Sequence, residues 1–131
     1  MQTTKIRTFP GFWSKKDCIA RPEALFIFGD NDRRFGNKGQ AIIRDCANSV
    51  GVPTKKYPSL GSESYYSDLD LSENKKKIKT AIKLVISLSK KYKTVYLPEN
   101  GLGTGLADLP TRAPNTYVYL QKKIEQLKLV I

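Results

Sequence analysis

The sequence predicts a single α/β domain with a three-layer core, and three observations lead there. Ala24-Leu25-Phe26-Ile27-Phe28 and Thr94-Val95-Tyr96-Leu97 are apolar runs of strand length, with the β-branched and aromatic content of strands covered on both faces. Each run empties into a glycine-bearing loop and then into a helical pattern. A long amphipathic stretch between them supplies a covering layer, and with 131 residues the chain can bury one proper core.

In chain order, Lys5 to Phe9 predicts an edge strand closed by Pro10-Gly11. Phe12 and Trp13 follow in an irregular segment, where they either cap the core or offer a ring to a base. After the strand at Ala24, the polar loop Gly29 to Gly39 leads to Gln40-Ala41-Ile42-Ile43-Arg44-Asp45-Cys46-Ala47, whose Ala41, Ile42 and Cys46 have helical spacing. Asn48-Ser49-Val50-Gly51 closes that helix, and Val52 to Ser59 reads as extended chain between prolines. Leu60 to Asp70, rich in Ser, Gly and Tyr, predicts a loop that could act as a lip.

Ser72 as N-cap and Glu73 in the first turn predict a helix to about Lys91. Ile78, Ala81, Ile82, Val85, Leu88 and Tyr92 make its apolar face, read as core. The strand at Thr94 and its loop come next. Pro110 and Pro114 mark the start of a last helix, about Pro114 to Leu127, with Tyr117, Leu120, Ile124 and Leu127 on one side. Leu129-Val130-Ile131 is read as a short final strand.

Composition narrows the function. The chain is 40% hydrophobic and 27% charged, as in soluble globular proteins, and has no apolar run long enough to cross a membrane. Met1-Gln2-Thr3-Thr4-Lys5 lacks the apolar segment of a signal peptide, so a cytoplasmic protein is expected. Cys18 and Cys46 form no metal pattern and are read as reduced, partly buried thiols. Histidine is absent, which excludes Ser-His-Asp and Cys-His nucleophile systems and a histidine general base within the chain. Carboxylates, lysines, hydroxyls or a bound water must carry any catalysis.

Lys and Arg number 23 against 12 Asp and Glu, a net charge of +11 that attracts polyanions. Nucleic acid is one partner such a field fits and a phosphorylated small molecule another. Much of the excess lies in Lys75-Lys76-Lys77, Lys90-Lys91 and Lys122-Lys123, which also read as solvated helix faces and ends.

The most informative stretch is Pro98-Glu99-Asn100-Gly101-Leu102-Gly103-Thr104-Gly105-Leu106-Ala107-Asp108. Strand, glycine turn and helix together bring unpaired amides to one point, which is what a phosphate requires. It is neither a dinucleotide fingerprint, since Leu106 stands where the last glycine should be, nor a P-loop, which needs Gly-Lys-Ser/Thr. A plain tight turn would read the same. The loop after the first buried strand repeats the pattern, and two such units suggest one cleft at the carboxyl ends of neighbouring strands.

Taken together, Ile27-Phe28-Gly29-Asp30-Asn31, Gly36-x-Lys38-Gly39-Gln40-Ala41, Val52-Pro53-Thr54-Lys55 and Gly101-Leu102-Gly103-Thr104-Gly105-Leu106 resemble the macrodomain superfamily. The resemblance spans about residues 24 to 127, and is closest to small macrodomain-like proteins of bacteriophages and bacteria and to the branch that removes ADP-ribose from proteins or DNA. It implies a three-layer α/β/α fold with a mixed central sheet, and a ligand that is ADP-ribose or an ADP-ribosylated macromolecule. It also implies a monomer with no cofactor and no metal, in the host cytoplasm if phage-encoded.

By resemblance, Gly29, Asp30, Asn31, Gly36, Lys38, Gly39 and Gln40 of the first loop would hold the distal ribose and pyrophosphate, with Thr54 beside them. Asn100, Gly101, Leu102, Gly103, Thr104, Gly105 and Leu106 would wrap the diphosphate. Lys55 matches a catalytic lysine that follows a Pro-Thr pair. Asp108 is similar to a catalytic aspartate but stands one place later than the pattern, and Asn31 completes the catalytic set. A neutral Lys55 amine could attack the anomeric carbon and form a Schiff base while Asp108 moves protons. Alternatively Lys55 and Lys56 screen phosphates or face solvent.

Departures from the pattern are also visible. The adenine-binding aspartate has no clear counterpart, although Asp17 or Glu23 could substitute. Gln40-Ala41 stands where another hydrolase branch carries an aspartate. Asp30, Arg33 and Arg34 are additions that either meet a further phosphate or pair with one another. The resemblance thus implies an ADP-ribosyl hydrolase, a non-catalytic ADP-ribose or nucleotide-signal binding module, or a processor of ADP-ribose 1''-phosphate. Nucleic-acid binding through the basic surface alone is the reading independent of it.

Overall fold

The computed structural model describes residues 5–131. Four strands form one sheet: β1 (Ile6–Phe9), β2 (Ala24–Asn31), β3 (Ser49–Lys55) and β4 (Thr94–Pro98), in the order β1-β4-β2-β3. Every pairing among them is parallel. The expected mixed sheet is therefore corrected to a parallel one. Parallel neighbours need crossovers, and the chain supplies them: α1 (Lys15–Ala20) lies between β1 and β2, a 3-10 turn at Gly39–Ile43 between β2 and β3, and α2 (Leu71–Ser89) between β3 and β4.

Alternation along β2 divides the core. Leu25 and Ile27 join the larger cluster with Val52, Ile78, Ile82, Val85, Leu120 and Leu127, beneath α2 and α4 (Pro114–Val130). Ala24, Phe26 and Phe28 join the smaller one with Phe9, Trp13, Cys18, Ala41 and Ile43, beneath α1 and the 3-10 turn. The architecture is α/β with three layers, one of them thin. Trp13 is core, in edge contact with Phe9 and Phe26, whereas Phe12 is exposed.

Three further expectations are corrected. The helix over Gln40–Ala47 is only the 3-10 turn, and β3 begins at Ser49, where the closing turn was expected. Asp70 rather than Ser72 is the N-cap of α2. The predicted final strand is the last turn of α4, since no glycine or proline stops that helix and the Ile131 amide still donates to Leu127 O at 3.1 Å. The helix start marked by the prolines is observed, with Pro110 in the short α3 (Leu109–Arg112) and Pro114 opening α4.

The start of α4 is capped from a distance. The Asp68 carboxylate accepts from the amides of Asn115 (2.8 Å) and Thr116 (3.0 Å) and from the Thr116 hydroxyl (2.9 Å). Burial pushes the Asp68 carboxyl up, but these three bonds outweigh it and hold it below the ordinary value. An aspartate with a lowered folded pKa stabilises fully above its unfolded value and loses that contribution as the pH falls through the folded one. Asp68→Ala is expected to lower stability by about 1 kcal/mol at neutral pH. In urea titrations its difference from wild type shrinks as the pH is lowered below about 4.

Candidate functional site

The two glycine loops leave the carboxyl ends of the adjacent strands β2 and β4. The chain after β2 turns to the thin layer and the chain after β4 to the layer of α2 and α4, and this divergence of parallel connections is the crevice position at which open α/β sheets hold their ligands. Gln40 ties the two sides together. Its Oε1 accepts from the Gly29 amide at 2.8 Å, its Nε2 donates to Gly101 O at 2.9 Å, and its carbonyl accepts from Trp13 Nε1 at 3.0 Å. The loops touch again where Leu106 packs against Gly39, with 3.4 Å between Leu106 Cδ1 and the position a Cβ would take. Gln40 thus spans the gap between the two loops.

The second loop bends through Gly101 (φ +84°) and Gly103 (φ +80°). A side chain on Gly103 would be strained and would meet Leu109 Cδ2 at 2.9 Å, so this glycine is fixed by packing. Gly105 differs, since a Cβ there would meet nothing within 4 Å. The amides of Gly103, Thr104, Gly105 and Leu106 donate to no acceptor among the described residues. Four consecutive free donors on a glycine turn suit an anion.

Several expected contact residues have structural tasks instead. Leu102 is buried in the larger core cluster, so only its backbone can face a ligand. The Thr104 hydroxyl donates to Asn100 O. Thr54 is buried and donates to Asp30 O at 3.2 Å. Asn31 Nδ2 donates to Phe35 O and its Oδ1 accepts from the Arg33 amide, so the side chain folds its own loop. Asp30 pairs not with Arg33 or Arg34 but with Arg44, at 2.7 Å, and Arg44 Nε also donates to Gly36 O, stapling the first loop. Lys38 is exposed on that loop. Asp17 is taken up by the Ser14 amide and Arg21.

Lys55 lies at an irregularity in the sheet. The β2 to β3 register slips between Asp30 and Asn31, which pair with Pro53 and Lys55, and the extra residue is Thr54. Such a bulge re-aims the side chains that follow, and Thr54 and Lys55 are both buried. Lys55 Nζ donates to Ser59 O at 2.7 Å and sits 4.6 Å from the centre of the Tyr65 ring. The Arg112 guanidinium stacks on the same ring at 3.7 Å, and Arg112 Nε reaches Asp108 Oδ2 at 3.4 Å. Asp108 has a left-handed backbone (φ +47°). Lys55 and Asp108 are therefore joined through Tyr65 and Arg112 rather than by direct contact.

No carboxylate pairs with Lys55 among the described residues. Burial lowers its pKa first and the nearby Arg112 charge lowers it further, both favouring the neutral amine. Sequence reasoning missed Tyr65 and Arg112. Tyr65 stood in a stretch read as a lip, and its isolated antiparallel bridge to Lys55 is a tertiary pairing. It also missed a third group, Asp32, which accepts from the buried Tyr66 hydroxyl at 2.6 Å and from Lys77 Nζ at 2.7 Å. Lys77, expected in a solvated run, is thereby committed. A separate concavity of about 500 Å³ lies between α1 and the chain before β3, lined in part by Cys18, Cys46 and Tyr92, away from the glycine loops.

Fold and site together define an α/β protein with two glycine loops tied across a sheet divergence and a buried lysine that has no carboxylate partner among the described residues. The model of a family of unknown function, DUF7831, matches residues 8–123, and the chain belongs to that family. No curated protein and no solved structure matches it.

The lowered Lys55 pKa means that, at a given pH, more of this amine is neutral than of an ordinary lysine near 10.5. Pulse acylation with acetic anhydride, followed peptide by peptide by mass spectrometry, is expected to give Lys55 a half-reaction pH below that value. Arg112→Gln should move the midpoint upward. An ordinary midpoint at Lys55, or one indifferent to Arg112, would contradict the assignment.

Proposed function

We propose that the crevice binds ADP-ribose or a related nucleotide through its diphosphate, and that Lys55 carries hydrolysis of an ADP-ribosyl linkage on a protein or nucleic acid. The observation that carries the reading is the run of free amides from Gly103 to Leu106, on the loop that ends at Asp108, together with a buried lysine that is linked to Asp108 through Tyr65 and Arg112 and has no carboxylate partner among the described residues. The amides and the exposed Lys38 supply charge stabilisation without a metal ligand set. The glycines keep side chains out of the way. The macrodomain resemblance of the four motifs supports the same ligand.

In this reading the neutral Lys55 amine attacks the anomeric carbon as the linkage to the macromolecule breaks, and the proton that the attacking nitrogen loses is passed by the Asp108 carboxylate to the departing group. Ring opening leaves a Schiff base on Lys55, and water then releases free ADP-ribose and the amine. Arg112 holds Asp108 and disfavours the ammonium form of Lys55. Tyr65 covers the amine and must swing aside for a sugar to reach it. That cover is also the observation favouring the second reading, a binding module without turnover, in which Lys55 braces the Ser59 turn.

Calorimetry with ADP-ribose separates pocket from surface. Wild type is expected to bind, and Gly105→Ala, which meets open space, should keep its melting temperature yet bind at least about tenfold more weakly, about 1.4 kcal/mol. Equal binding by that variant would remove the amide turn from the site. Borohydride added during turnover of an ADP-ribosylated protein or oligonucleotide should leave an adduct on Lys55, and Lys55→Ala should leave none. Binding with intact substrate recovered and no adduct would establish the module reading.

A further inference from the structure

The net charge of +11 is not spread evenly over the molecule. On the thin layer three cations have carboxylate partners, Lys15 in Asp45, Arg21 in Asp17 and Arg44 in Asp30, while Lys16 has none among the described residues. The opposite layer is different: α2 and α4 together carry eight lysines against two glutamates. Glu73 is taken by Lys76 and Glu125 by Lys128, each within its own helix. Among the described residues the remaining lysines of these helices have no carboxylate to offset them except Lys77, which meets Asp32.

These lysines border a shape. α2 and α4 pack side by side and leave a groove of about 230 Å³, with Lys79 and Lys83 on one rim, Lys123 on the other, and Ile82, Ile86 and Leu127 along its floor. No carboxylate side chain among the described residues lines it. Lys75, Lys79 and Lys83 recur every fourth residue, so they form one row with steps of about 6 Å along the helix. At the head of the groove Lys75 and Lys123, from different helices, both lie over the Tyr119 ring, at 5.4 and 5.5 Å. The ring's negative face eases the approach of two like charges.

We propose that this groove binds single-stranded nucleic acid along its sugar-phosphate backbone. An evenly stepped row of ammonium groups matches a repeating phosphate, and an apolar floor gives unpaired bases a dry surface that a duplex would not use. Carboxylates of an acidic protein are held best by the planar fork of arginine. Neither α2 nor α4 contains an arginine, and lysine serves phosphate as a point charge. The inference goes beyond the crevice reading and stands without it, since both helices run back from the glycine loops and the groove is formed by their later turns.

The test is fluorescence anisotropy with a fluorescein-labelled oligothymidylate over a range of salt. Neutralising four phosphates predicts a slope of log affinity against log salt of about −3. The variant K75Q/K79Q/K83Q/K123Q should lose most of that slope and at least about tenfold in affinity at low salt. Its helicity should be kept, since glutamine is nearly as good a helix former as lysine. A variant with the same charge removed elsewhere, K15Q/K16Q/K90Q/K91Q, should keep most of the binding, and saturating ADP-ribose should not displace the oligonucleotide. A wild-type slope shallower than about −1 would overturn the proposal whatever the variants do. So would equal losses in both variants, displacement by ADP-ribose, or stronger competition from polyglutamate or duplex DNA than from unlabelled oligothymidylate.

Discussion

One side chain holds the candidate site in shape. Gln40 accepts from the Gly29 amide, donates to Gly101 O, and through its carbonyl anchors the buried Trp13. Strands β2 and β4 are adjacent and parallel, but their connections leave for opposite layers, and the ladder between these two strands ends at Phe26 and Tyr96. A single amide group supplies both an acceptor and a donor across that gap. The glycine bends on either side can then take left-handed conformations without the loops drifting apart.

The second constraint is electrostatic. A buried ammonium normally needs a carboxylate, and Lys55 has instead a carbonyl, an aromatic face and, beyond that face, a guanidinium. This combination satisfies the amine's geometry while leaving its charge poorly compensated. Tyr65 is therefore a cover and an insulator at once, and Arg112 couples Lys55 to Asp108 without joining them directly. The bulge that admits Thr54 beside Asp30 gives Lys55 its place in this cluster.

How far the sequence revealed this follows from which interactions are local. The buried strands were legible because β2 and β4 are short, apolar and bounded by polar or glycine-rich chain. The face of α2 was legible because Ile78, Ala81, Ile82 and Val85 repeat at helical spacing, and all four are buried. The stretch after Gln40 has the same spacing, but the chain must reach β3 by Ser49, which leaves room for a 3-10 turn alone. The glycine loops and Lys55 were visible as motifs. Their cross-connections were not: Gln40 to Gly101, Arg44 to Asp30 and Tyr65 to Arg112 join residues 61, 14 and 47 positions apart, and no local pattern encodes such partners. The parallel sense of the sheet likewise depends on pairing order rather than on any one strand.

The central claim is that the amides after Gly101 are donors kept free for an anionic ligand. Nitrogen-15 NMR of the backbone during titration with ADP-ribose tests it most directly. The account predicts that the resonances of Gly103, Thr104, Gly105 and Leu106 move first and furthest, saturating together. Shifts confined to the lysines of α2 and α4, or none in that loop at saturating nucleotide, would contradict it.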